Sequence, residues 1–71
     1  MNRTPVVSTQ IASIGYEPSQ QILEVEFLDG SINQYFEVPK YHHVALMSAP
    51  SLSTYLETFI AKGGYHFSKI T

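Results

Sequence analysis

From Gln21 to Pro39 the chain reads QILEVEFLDGSINQYFEVP, with apolar and polar residues alternating on both sides of Asp29-Gly30. Alternation at a period of two marks a strand with one buried face, and an Asp-Gly break within it marks a β-hairpin. On the first arm, Gln21–Leu28, residues Leu23, Val25 and Phe27 fall on one face and Ile22, Glu24 and Glu26 on the other. A looser alternation over Thr9–Tyr16 predicts a preceding strand, with Ala12 and Ile14 on one face and Ile11 and Ser13 on the other. Glu17-Pro18-Ser19-Gln20 joins these two strands as a turn, since proline presets φ and the polar residues tolerate water. Pairing Tyr16 with Gln21 sets Ile14 opposite Leu23 and Ala12 opposite Val25, which supports an antiparallel meander. Met1–Val7 reads as a tail that joins the first strand near its end.

The third strand, Ser31–Val38, faces one way or the other according to the turn. A two-residue Asp29-Gly30 loop puts Ile32 opposite Phe27 and Phe36 opposite Leu23, so that Ile32, Phe36 and Val38 join the core. Asn33 and Tyr35 then point outward beside Glu24 and Glu26. A three-residue loop with Gly30 in a bulge turns the strand over and sends Tyr35 inside. The count of apolar residues favours the first arrangement. Pro39 then suits the first turn of a helix over Pro39–Ser48, with Ala45, Leu46 and Ala49 inward. Ala49-Pro50-Ser51 breaks it, and Ser51 caps a second helix over Leu52–Lys62. Leu52, Tyr55, Leu56, Phe59 and Ile60 form its apolar stripe, and Gly63-Gly64 ends it. Tyr65–Ile70 alternates again, as a short edge strand or an extended tail on the sheet. The expected fold is α+β: a three-stranded antiparallel meander, residues 1–71 in one domain, with two helices on one face.

With 71 residues and no cysteine, the core rests on packing alone, and nine aromatics make that feasible. No cationic segment followed by an apolar run opens the sequence, and its apolar runs are far too short to span a bilayer. A soluble cytoplasmic protein without membrane contact is expected. The net charge of −2 speaks against a dedicated nucleic-acid binder. Its distribution is uneven: Glu17, Glu24, Glu26, Asp29 and Glu37 oppose Arg3 in the first half, whereas Lys40, Lys62 and Lys69 stand against Glu57 in the second, with all three histidines.

The ordered set IASIGYEP, LEVEF, a glycine turn, QYFEVP, Ala49-x-Ser51, Tyr55, Ile60 and GGYHFSKI resembles the KTSC domain over roughly residues 6–70. That family is a short module found alone in bacteria and phages and at the C-terminus of some lysyl-tRNA synthetases. The resemblance implies a small α+β domain, and the synthetase association suggests RNA binding. The family's Tyr-x-Tyr before Val-Pro is met here by Tyr35 and Val38-Pro39, with Asn33 in the first tyrosine position. Ser53 stands where a glycine is usual, and Ala61-Lys62-Gly63 where the family tends to be basic.

Catalysis finds little footing in these residues. Serines are plentiful, but the one aspartate, Asp29, belongs to the hairpin turn and no G-x-S-x-G occurs. Glu24 and Glu26 read as the wet face of a strand. His42-His43 and His66 do not make a zinc set, since adjacent helical residues point about 100° apart. No enzyme activity and no cofactor are expected. The leading expectation is a binding module for single-stranded or tRNA-like RNA, in which Lys40, Lys62, His66 and Lys69 hold phosphates and Tyr35 or Tyr65 stacks a base. The competing one is a protein-interaction module, with a protein partner or a homodimer formed through open sheet edges.

Overall fold

The strands form one sheet in sequence order: β1 (Thr4–Pro5), β2 (Ile11–Glu17), β3 (Ile22–Phe27), β4 (Ile32–Tyr35) and β5 (Phe67–Lys69), each antiparallel to its neighbour. The structure is a computed structural model that describes residues 2–71, so Met1 lies outside it. The α+β class holds, but the expected three-stranded meander is corrected to five strands. The N-terminal segment adds one edge, and the YHFSKI segment adds the other through Asn33↔Lys69, Gln34↔Ser68 and Tyr35↔Phe67.

The β3–β4 hairpin takes the second of the two turns allowed by its sequence. Phe27 N–H donates to Ser31 O at 2.8 Å, which closes a three-residue loop with Gly30 at φ +91°. Asp29 Oδ1 accepts from Ser31 N–H and Oγ–H at 2.9 and 2.7 Å and locks the turn. Tyr35 therefore pairs with Leu23 and is 5% exposed, in the core, while Ile32 and Phe36 fall on the opposite side. The expectation of an outward Tyr35 beside Glu24 and Glu26 is thus reversed. One buried aromatic ring outweighs two half-buried apolar residues.

Two local irregularities put residues three apart on the same face, which plain alternation forbids. A bulge between Ile11 and Ser13 lets both Ile11 and Ile14 enter the core, while the turn over residues 18–21, which pairs Glu17 with Ile22, sets the β2–β3 register at Ile14↔Val25 and Tyr16↔Leu23. Ile11, expected outward, is fully buried. Glu37, at φ +58°, resets the chain so that both Tyr35 and Val38 point inward. Tyr16 O–H then donates to Val38 O and ties the strand exit to the middle of the sheet.

Both helices cover the face that carries Ile14, Leu23, Val25 and Tyr35. Pro39 is the residue immediately before α1 (Lys40–Met47), whose Leu46 is fully buried. Ser51 caps α2 (Leu52–Tyr55), its Oγ accepting from Thr54 N–H at 3.4 Å. From Leu56 to Ala61 the helix widens to π geometry, ending with Lys62 N–H bonded to Glu57 O at 3.1 Å. The extra residue per turn keeps Leu56 and Ile60 inward and rotates Phe59 out, so that Phe59 is 50% exposed despite its place in the apolar stripe.

Gly63 sits where this turn folds back. A Cβ there would lie 2.4 Å from Phe59 O and 3.1 Å from the Tyr65 ring. The obstacle is backbone and cannot step aside. Gly63→Ala is expected to cost about 1–3 kcal/mol, read as a lowered urea midpoint at unchanged m. A midpoint equal to that of the parent would mean that the helix end yields freely.

Candidate binding surface

The two sides of the sheet carry opposite chemistry. On the side without helices, alternation places Arg3, Ser13, Glu24, Glu26 and Gln34 together. Arg3 pairs with the Glu24 carboxylate, and its Nε–H donates to Ser13 Oγ at 2.9 Å. Ser13 Oγ–H donates to Glu26 Oε1 at 2.9 Å, and Gln34 Nε2–H to Glu24 Oε1 at 2.8 Å. Glu24 is only 5% exposed, so the strand face expected to be wet is a closed ionic network instead. Burial raises the Glu24 pKa, but the hydrogen bonds from Gln34 and Arg3 and the Arg3 charge outweigh it and hold the carboxyl below its ordinary value.

On the helix side, aromatic rings gather around His42. Its ring lies 4.5 Å from Tyr41, 6.0 Å from Tyr55 and 5.8 Å from Tyr65 between centroids. His42 Nδ1 is 3.0 Å from Tyr55 Oη, and Tyr55 packs on Phe59 at 4.7 Å. α1 presents Tyr41 and His42, α2 presents Tyr55, and the glycine loop returns Tyr65 to the same spot. Tyr41 is 65% exposed. Burial, then the neighbouring Tyr41 and Tyr55, raise the Tyr65 hydroxyl above the usual phenol range. Beside the cluster, a nearly uncharged groove is walled by Pro50, Tyr55 and Phe59.

The expected contact residues are scattered by this arrangement. Tyr35 is removed from the surface altogether, its hydroxyl accepting from Asn33 Nδ2–H at 3.4 Å and its ring against Phe67. Tyr65 is half-buried in the cluster. Lys40 opens α1 next to Tyr41, and Lys62 follows the π turn, 3.8 Å from Glu57. His66 lines a separate hollow with Glu37, and Lys69 sits on the β5 edge. The sequence reading missed Arg3, Tyr41, His42 and Tyr55. The only arginine of the chain, facing two alternate glutamates, was the available signal for the first. The others come together only when α1, α2 and the loop pack.

The profile of the KTSC domain matches residues 7–65. The chain belongs to the KTSC domain family. The crystal structure of a KTSC domain protein from Yersinia pestis superposes with a TM-score of 0.89 at 39% identity, over 99% of this chain and 97% of that one. An uncharacterized protein of Stutzerimonas stutzeri is 37% identical over 70 residues, 99% of each chain. A lysine–tRNA ligase of Nostoc sp. is 39% identical over 61 residues, 86% of this chain but 11% of the ligase. In this KTSC domain, Tyr35 of the Tyr-x-Tyr position belongs to the core, and the partly buried Asn33 donates to its hydroxyl. Among the described residues no helix is long and apolar enough to cross a membrane, and no three His, Cys, Asp or Glu gather as a metal set.

This KTSC domain is also expected to lose stability in acid. His43 stacks on Tyr16 at 5.0 Å and 9°, and burial, then the Lys40 charge, lower its pKa. The folded state thus binds protons less readily than the unfolded chain. Stability is full above the ordinary imidazole value of about 6.5 and is lost as pH falls through the lower folded value. Glu24, also lowered, adds a second loss below about pH 4.5. The melting temperature is expected to fall between about pH 7.5 and 5.5, and less so in His43→Phe. A melting temperature that rises on acidification over that range would refute the His43 assignment.

Proposed function

We propose that this KTSC domain is a non-catalytic module that binds single-stranded or tRNA-like RNA through the helix-side aromatic surface. The observation that supports it is charge separation. Glu24 and Glu26 are tied to Arg3 on the far face of the sheet, while exposed aromatics lie on the elements that carry Lys40 and Lys62. Exposed rings accept unpaired bases whatever their identity, and nearby lysines hold the phosphates. The matching segment of a lysine–tRNA ligase points the same way.

The test is an NMR titration of labelled protein with tRNA and short single-stranded RNAs. Shifts are expected at Tyr41, His42, Tyr55, Phe59 and Lys62, with the Glu24 face silent. With two lysines on phosphates, affinity is expected to fall with salt at a log–log slope of roughly −1.4. An unchanged spectrum would reject the reading. The exposed Tyr41, Val44 and Phe59, next to the uncharged groove, favour a second one, in which this surface meets a protein or another copy of the chain. Association in the micromolar range by sedimentation, without RNA shifts, would select it.

A further inference from the structure

We infer that β5 is a self-association edge, at which two copies of the domain join their sheets antiparallel about Ser68. The inference is independent of RNA binding and uses a different surface from the helix side. The sheet ends on β1 at one side and on β5 at the other, and an open strand edge invites pairing with another chain. The two ends are built differently. Beside β1, Val6 N–H donates to Ala12 O, so by alternation Pro5 turns its nitrogen to the outer edge. A proline there offers no donor, which blunts this end of the sheet. Along β5, Phe36 N–H donates to His66 O and Ile70 N–H donates to Ile32 O. By the same alternation Phe67 and Lys69 direct their N–H and C=O groups to the open edge. All of β5 is exposed, Phe67 by 61%.

The occupant that fits this edge is a second copy of it. A two-fold contact is self-complementary: what one copy offers, the other must accept. Phe67 opposite itself leaves the Lys69 groups unpaired within the strand. Lys69 opposite itself leaves the Phe67 groups unpaired and sets like charges face to face, which is destabilising. Phe67 opposite Lys69 of the second copy satisfies every outward donor and acceptor of both strands. That register also lays the Lys69 ammonium beside the Phe67 ring of the second copy, and the ring attracts it. Phe67 already packs on Tyr35 at 5.7 Å between centroids, so covering it continues the core across the joint. On the other face the small, uncharged Ser68 meets its own copy. With three residues of β5 in each copy the interface is small, and a weak, reversible association is expected.

The chain has no cysteine, so Ser68→Cys supplies a single reporter. Residues directly opposed at a non-hydrogen-bonded position lie about 4.5 Å apart between Cα atoms, within the roughly 4.4–6.8 Å that a disulfide spans. With glutathione disulfide as oxidant, Ser68→Cys is expected to form a disulfide-linked dimer, and Ser19→Cys, on the turn between β2 and β3, far less of one. Sedimentation of the parent should show association that grows with protein concentration. Lys69→Pro gives β5 the device that Pro5 gives β1. It removes one outward donor from each copy and should weaken association about tenfold or more. Amide spectra check the fold of each variant, and Ser68→Cys, which leaves the backbone unchanged, decides the matter where the proline disturbs the strand. Cross-linking of Ser68→Cys no greater than that of Ser19→Cys, or association that survives Lys69→Pro in a folded domain, overturns the inference. Either result leaves the RNA-binding reading standing, since that rests on its own titration.

Discussion

Tyr35→Ala is expected to cost about 4 kcal/mol, comparable with the whole stability of a domain this small. The ring is 5% exposed and packs within the cluster of Leu23, Val25, Leu56 and Ile60. Removing it leaves a cavity between the sheet and the π turn, which rigid strand pairing on both sides of Tyr35 keeps from collapsing. Tyr35→Phe should cost under about 1 kcal/mol, because the hydroxyl makes a single long contact with Asn33. Urea denaturation of the two variants measures the difference. The pair distinguishes the two hairpin turns, since a surface tyrosine would tolerate either change within about 0.5 kcal/mol. Near-parental stability of Tyr35→Ala would mean that the strand faces the other way.

The second large effect is expected at the chain's N-terminal end. Arg3 reaches across β2 to Glu24 on β3 and holds β1 in place, although β1 pairs at only two positions. Arg3→Ala leaves Glu24 buried with Gln34 as its remaining hydrogen-bond partner among the described residues. Removing one member of a buried pair strands the other, at a cost up to about 3–5 kcal/mol. The network here lies on a sheet face without a covering layer, so water can reach part of it, and about 2 kcal/mol is expected. In a Glu24→Gln background the same substitution should cost far less, because no charge is stranded. A double-mutant cycle at neutral pH reads this coupling. Additive effects of the two substitutions would show that Arg3 and Glu24 are independent.

These two residues also mark the range of sequence reasoning. Alternation identified β2 and β3, Gly30 and Gly64 marked turns that the backbone confirms with positive φ, and Ser51 signalled its helix start. Tyr35 was misplaced because one residue in the turn decides the facing of a whole strand, and both turns were chemically sound. Arg3 was overlooked because a salt bridge between residues 21 apart leaves no local pattern. It also lies outside the span matched by the family profile, which begins at residue 7. The candidate binding surface was half legible. Lys40, Lys62 and Tyr65 were singled out from the sequence, but Tyr41, His42 and Tyr55 are ordinary helical residues until three segments converge.

The amino-acid order by itself marked the central strands, the hairpin turn and the two helix starts, because period, caps and turn residues act over a few neighbours. It also determined the family, through spacings that survive substitution. The tertiary structure alone decided which face each residue joined. A bulge at Ala12, a left-handed Glu37 and a π turn after Tyr55 each offset the phase by about one residue. Such offsets are small in local energy and are selected by the fit of the whole core. The same packing tied Glu24 and Glu26 to Arg3 on one face and exposed Tyr41 and Phe59 on the helix side, an arrangement that no local stretch of the sequence contains.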